Sequence, residues 1–126
     1  MFLIVILLGS SVLAFANERN SFVQGLTDGK LEAERYHSSM GWGLGGLAGQ
    51  FILGIVGGLC VTGASALSNP NPSIEKRIMI DNKSEEYQLG FIEGFKQEAK
   101  SKNIKGALGG CGIGLALRLV LALATQ

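Results

Sequence analysis

Glycine recurs at every fourth position along much of this 126-residue sequence, which contains 19 glycines. Residues four apart lie on nearly the same face of a helix, one turn above another. A row of small residues at this spacing leaves a groove into which a second helix can pack at close range. We predict helix-packing faces formed by ten glycines, Gly25, Gly29, Gly41, Gly45, Gly49, Gly90, Gly94, Gly106, Gly110 and Gly114.

The sequence also repeats itself. A shift of 65 residues brings the first five of these glycines onto the last five, aligns Phe22 with Tyr87, and aligns Asp28 with Glu93. Self-similarity at a fixed spacing is the mark of a duplicated structural unit. We interpret residues 17–67 as repeat 1 and residues 84–126 as repeat 2, joined by a linker at 68–83.

Each predicted repeat begins with a charged half. Residues of about 18–37 and 84–103 have the pattern of surface helices that are amphipathic. In the second, Tyr87, Phe91, Phe95 and Ala99 form an apolar stripe at a spacing of four. This stripe is expected to lie on a membrane surface or to pack on its own repeat partner.

Each predicted repeat ends in an apolar half that is long enough to cross a membrane. No charged residue occurs from Ser38 through Ile74. We expect one long or tilted helix over about 41–67, because a span takes roughly 20 residues and two spans with a turn would need more. A second span is expected over about 106–124. Arg118 lies near its end and is expected to reach the outer surface with its long side chain.

The first residues have the features of a targeting segment. Met1 to Phe15 is an uncharged apolar run, followed by the small-x-small pattern Ala14-Phe15-Ala16. We predict a signal peptide over residues 1–16, cleaved after Ala16, which exports the chain. The alternative is that this segment is retained as an N-terminal anchor.

The distribution of basic residues predicts an orientation. Residues 75–105 hold seven Lys or Arg, whereas the segment between Ala16 and the first predicted span holds three. Cytoplasmic loops carry the excess of Lys and Arg. The loop at 68–105 is therefore predicted to be cytoplasmic and the mature N-terminus to lie outside, which is also where a cleaved signal peptide would deliver it.

The residues that could carry chemistry are few. The net charge of +1 argues against nucleic-acid binding, which usually needs a basic face. His37 is the single histidine and has no cysteine or carboxylate at ligand spacing, so neither a metal nor another cofactor is expected, nor is an enzyme. Asp28 and Glu93 are possible paired acids that could bind a cation or share a proton, or could be ordinary solvated charges.

Several short motifs carry a resemblance. They are Gly25-Leu26-Thr27-Asp28-Gly29, the segment from Pro70 to Pro72, Tyr87-Gln88-Leu89-Gly90-Phe91, and the lysine-rich stretch from Lys96 to Lys105. In these motifs the chain resembles a group of uncharacterised small bacterial envelope proteins that have a signal peptide, and its apolar stretches are similar to glycine-zipper membrane domains. The resemblance implies an envelope location and no particular activity, so no catalytic residue can be carried over from it.

The sequence therefore predicts an all-α membrane protein built from two repeats, each an amphipathic helix followed by a glycine-rich transmembrane helix. We expect a structural or interaction protein of a bacterial envelope membrane. It would bind membrane lipid and assemble with itself, or with another envelope protein, through its glycine faces. The alternative is a small pore-forming or transport-associated component in which the paired acids line a path.

Overall fold

The computed structural model is all-helical over its described residues, which confirms the predicted class. The structure describes the backbone of residues 2–125 and the side chains of residues 18–125. The predicted signal peptide at 1–16 lies outside the described side chains. The four helices are α1 (Phe2–Tyr36), α2 (Met40–Leu67), α3 (Ile74–Ile80) and α4 (Glu85–Ala124).

Serine side chains start the two later helices. The Ser73 hydroxyl accepts a hydrogen bond from the Lys76 backbone N–H at 3.4 Å, and the Ser84 hydroxyl accepts one from that of Tyr87 at 3.3 Å. Such caps satisfy N–H groups that have no partner within the helix. Glu85 and Glu86 add negative charge to the first turn of α4, where the helix dipole favours it.

Helices α1 and α4 lie side by side and run in the same direction. Gly25 contacts Tyr87 near the start of α4, and the ammonium of Lys102, further along α4, donates to the carbonyl of Glu34 at 2.7 Å. That lysine satisfies a carbonyl at the C-terminal end of α1, where a positive charge also favours the helix dipole. We call residues 18–37, α3 and residues 84–103 the polar unit.

The apolar stripe of α4 packs inside the polar unit. Phe91 and Phe95 are buried, and Phe95 forms a small core with Ala33 of α1 and Ala99. Of the two expectations for this stripe, packing within the chain is the one that the structure shows, since the stripe lies against residues 18–37 of α1.

Helix α2 reverses direction at Gly54, whose backbone has φ 66° and ψ −150°. The first arm, residues 40–53, and the second arm, residues 55–67, pack against each other. Gly49 contacts Gly57, and a Cβ atom on Gly45 would stand 3.6 Å from the Val61 side chain. In a straight helix Gly45 and Val61 would be about 24 Å apart. The chain therefore forms a helical hairpin with its tip at Gly54.

The hairpin packs along the second half of α4. Gly46 contacts Ala107, Gly110 contacts Gly43, and Arg118 lies against Gly54 at the tip. We call the two arms together with residues 106–124 the apolar unit. By length and composition, both α2 and α4 could cross a membrane.

The prediction of one continuous helix over 41–67 is wrong, because a single glycine in a conformation that other residues rarely adopt turns the chain back. Each arm is about 20 Å long at helical rise, shorter than the hydrocarbon core of a bilayer at about 30 Å. Ser39, before the first arm, contacts Gly106, and Ser68, after the second, is hydrogen-bonded to Asn103. Both ends of the hairpin thus lie at the same end of the apolar unit.

The predicted orientation, with the loop at 68–105 cytoplasmic and the mature N-terminus outside, depended on that single span and stays a prediction. It required residues 17–37 and the loop at 68–105 to lie on opposite sides of a membrane. In the structure residues 18–37 pack directly on residues 84–103, at one end of the apolar unit.

Candidate functional site: glycine contacts, polar junction and hairpin tip

Four glycines set the distance between α1 and α4. A Cβ atom on Gly25 or Gly29 would collide with the carbonyl of Tyr87 or Phe91, and one on Gly90 or Gly94 would collide with the carbonyl of Phe22 or Leu26. The contacts are reciprocal, because Phe22 and Tyr87, like Leu26 and Phe91, are 65 positions apart. Each helix therefore fits its glycines against the carbonyls of the other, at a separation that no side chain would permit.

Eight of the ten predicted helix-packing glycines have atoms of another helical segment of the same chain within 4 Å of where a Cβ would stand, and Gly106 has those of Ser39, just before α2. The exception is Gly41, which has nothing within that distance. Gly46, Gly57 and Gly58 are buried as well, although the prediction left them out. The sequence feature that could have identified them is the pair of adjacent glycines at Gly45-Gly46 and again at Gly57-Gly58. Two adjacent glycines widen the small-residue face of a helix, so that the helix can pack against two neighbouring segments.

A buried polar junction joins the polar unit to the apolar unit. The side-chain oxygen of Asn103 lies 2.8 Å from Nε2 of His37, and its amide donates to the Ser68 hydroxyl at 3.0 Å. Ser68 in turn donates to the carbonyl of Ser65 at 2.6 Å. Asn103 is 2% exposed, and it ties the end of α1 and the end of the hairpin to the middle of α4.

Asn103 is not among the residues that the sequence predicted to be functional. Within a run of lysines and small residues, one asparagine has no local feature that separates it from a solvated side chain. Its role arises only where three chain segments meet.

The possible paired acids are not brought together in one site. Asp28 accepts a hydrogen bond from the Tyr87 hydroxyl at 2.7 Å, whereas Glu93 is exposed and accepts one from Gln97 of its own helix at 3.0 Å. Burial, assisted by the hydrogen bond to Asp28, raises the pKa of Tyr87 to about 12. Both acids lie in the polar unit, away from the apolar unit that would have to hold a membrane path.

Helix α3 contacts α1 through Lys76. The Lys76 ammonium lies 2.8 Å from Glu32 Oε1 and 4.8 Å from the centre of the Tyr36 ring. Among the described residues this ammonium is the only partner of that buried oxygen. The hydrogen bond to Glu32 raises the pKa of Lys76. The pair positions α3 beside the polar unit.

The surface of the apolar unit is covered with large apolar side chains. Those at least half exposed include Ile52, Leu53, Ile55, Val56, Leu59, Leu108, Ile113, Leu119, Val120, Leu121 and Leu123. Exposed apolar residues that are clustered into large patches are typical of surfaces that contact a membrane or a partner.

Among the described residues, no three His, Cys, Asp or Glu side chains are grouped so that they could hold a metal ion. Cys60 and Cys111 are free thiols, and Cys111 donates to the carbonyl of Gly58 at 3.4 Å. Comparison of the chain with protein-family models, with curated proteins and with solved structures gives no significant match.

Proposed function

We propose that this protein is a structural or interaction protein of a bacterial envelope membrane, in which the apolar unit is the anchor and the polar unit is displayed to a partner. The observation that carries the proposal is the separation of charged from apolar surface in the folded chain, with the boundary at the level of Asn103. On one side of it the exposed side chains are apolar, and on the other side the helices carry the charge. Apart from Arg118, every charged residue lies between Glu18 and Lys105.

The glycine faces have a different role in this proposal from the one that the sequence suggested. Within one chain they already hold α1, the hairpin and α4 together. Their use within the chain supports a compact monomeric anchor, so a partner would meet the outer faces of the polar unit instead. The duplication of the helix-and-glycine unit remains part of the proposal, and the reciprocal contacts between positions 65 apart support it.

We propose that the polar unit lies outside the cytoplasm. A signal peptide cleaved after Ala16 would deliver residue 17 there, and the hairpin then keeps residues 68–105 on the same side. The excess of Lys and Arg in the polar unit favours the opposite side. The signal-peptide argument and the argument from basic residues give the same orientation for a single span but opposite orientations for a hairpin. Labelling from each side of the membrane distinguishes them.

Site-specific photocrosslinking in intact cells tests the function. A photoreactive residue at Leu31 or Leu89, both exposed on the polar unit, is expected to give a discrete protein adduct. The same residue at Leu119, exposed on the apolar unit, is the matched control and is expected to give none, because it faces lipid.

Three other outcomes would argue against parts of this proposal. A homodimer adduct from Leu119 would indicate self-assembly through the apolar unit. No protein adduct from Leu31 or Leu89 would contradict the interaction proposal. Release of the chain from membranes by an alkaline carbonate wash would contradict the anchor.

A further inference from the structure

We propose that the hairpin tip is a phosphate site for a phospholipid of the leaflet opposite the polar unit, with Arg118 as its cation and Gln50 as a second donor. This inference rests on the proposed insertion of the apolar unit into a membrane. It goes further by naming a ligand class and two residues.

The hairpin tip and Arg118 lie at a similar depth in the apolar unit. The hairpin begins and ends at the level of Asn103, and its arms carry Gly54 about 20 Å from that level at helical rise. With a hydrocarbon core of about 30 Å, the tip stops short of the far headgroups. Arg118 lies at the same depth, since one of its guanidinium nitrogens is 2.7 Å from where a Cβ of Gly54 would stand. An arginine at such a depth needs a polar partner, which snorkelling and local thinning of the bilayer can bring to it.

The tip itself favours an anion. The second arm begins at residue 55, so its first backbone N–H groups have no partner within the arm. Unpaired N–H groups at a helix start attract anions, and a guanidinium adds donors in a geometry that matches phosphate. The absence of a side chain on Gly54 leaves the guanidinium space against the backbone at this point.

Gln50 is the second polar residue at the hairpin tip. It is only 5% exposed, its Oε1 lies against Gly58 of the second arm, and its carboxamide is not hydrogen-bonded to another described residue. Gln50 borders a cavity of about 500 Å³ at the tip, together with Arg118.

The remaining wall of this cavity suits a lipid. It is formed by Leu53, Gly54, Ile55, Leu115, Leu119 and Ala122, which are apolar. One guanidinium and one amide at an otherwise apolar groove match a phosphate joined to acyl chains better than they match a free anion, which would have no use for the apolar wall.

The test is lipid binding to the purified full chain in detergent, followed by native mass spectrometry during titration with phosphatidylglycerol. The wild-type chain is expected to retain one lipid. Arg118→Leu is expected to weaken retention on the order of tenfold, because the charged partner of the phosphate is lost. Arg118→Lys keeps the charge but loses the planar set of guanidinium donors, so its retention is expected to fall between that of wild type and that of Arg118→Leu. Gln50→Met is expected to weaken binding by a few fold, on the order of one neutral hydrogen bond.

Lys105→Leu is the matched control, since Lys105 is exposed at the opposite end of the apolar unit and is expected to change nothing. Equal retention by wild type and Arg118→Leu, or an equal loss in Lys105→Leu, would overturn the proposal. Displacement of the lipid by millimolar inorganic phosphate would also overturn it, by showing a free-anion site. Vesicle flotation of each variant is scored separately, so that failure to insert is distinguished from failure to bind lipid.

Discussion

Gly49 and Gly57, eight residues apart in one helical segment, lie against each other because the chain turns back between them. A Cβ atom on either glycine would stand 3.0 Å or less from the backbone of the other. This contact decides the architecture of the apolar unit. It converts a segment that is long enough to cross a membrane into a hairpin whose two ends share one side.

The turn depends on Gly54, so Gly54→Ala is expected to destabilise the folded chain by about 1–3 kcal/mol, the usual range for a residue held in a sparsely populated backbone region. The positive φ is unfavourable for alanine, and its Cβ would also meet Arg118. The free energy of unfolding in detergent is the measurement. Gly63→Ala is the control: it has nothing within 4 Å in the second arm, and it is expected to be neutral or to stabilise by up to about 1 kcal/mol. Equal effects of the two substitutions would argue against the reversal.

The separation of α1 and α4 depends on glycines that face backbone rather than side chains. Gly29→Ala and Gly94→Ala are each expected to lower stability by about 1–3 kcal/mol, because a carbonyl cannot rotate away and the helices must move apart. The double variant should lose less than the sum, since one separation accommodates both methyl groups. Thermal unfolding of the single and double variants measures this. Gly41→Ala, with nothing within 4 Å, should show no loss, and a loss equal to that of Gly29→Ala would contradict this account.

The shared side of the polar segments can be measured with single cysteines in a chain carrying Cys60→Ala and Cys111→Ala. Gln24→Cys and Asn69→Cys, both at exposed positions, are expected to react with an impermeant thiol reagent from the same side. Thr125→Cys, beyond the second half of α4, is expected to react from the other side. Labelling of positions 24 and 69 from opposite sides would restore the single span. Labelling of both from the cytoplasm only would keep the hairpin but contradict export.

Asn103 links three chain segments, so Asn103→Leu is expected to destabilise by about 1–3 kcal/mol through the polar groups that it leaves without partners. The His37 ring loses its hydrogen bond to Asn103, and the Ser68 hydroxyl loses a donor while it keeps its own hydrogen bond to Ser65. Chemical denaturation in detergent is the measurement. Asn71→Ala, which removes an exposed hydrogen bond of 3.4 Å, is the control and should change stability little. If the two variants behaved alike, the junction would have no stabilising role.

Tyr87 makes the stability of the polar unit sensitive to high pH. Its folded-state pKa, about 12, lies above the ordinary value of 10.0 because burial and the Asp28 hydrogen bond favour the neutral phenol. A raised folded-state pKa contributes stability that is fully present below pH 10 and is lost as the pH rises through about 12. Tyrosinate absorbance of a Tyr36→Phe chain should therefore titrate near 12. Tyr87→Phe should remove the tyrosine-linked loss of stability between pH 10 and 12, and an unchanged pH profile would contradict the assignment.

The sequence by itself determined the helical class, the division into charged and apolar stretches, and most of the glycines at which helices meet. These features are local, because helix periodicity places residues four apart on one face whatever they pack against. The spacing of 65 between the glycine sets matches the reciprocal contacts of Gly25 and Gly90, although the sequence did not predict that α1 and α4 pack on each other.

Only the tertiary structure decided the direction of the chain through the apolar unit. Glycine is compatible with a straight helix and with a φ of 66°, so nothing in the identity of Gly54 distinguishes a span from a turn. The one local hint was the break in the glycine row at Leu53. The outcome depends on whether packing the two arms and α4 together lowers the free energy more than packing one straight helix would. That difference is a sum over contacts between residues far apart in the sequence. The same holds for Asn103, whose partners come from three separate segments.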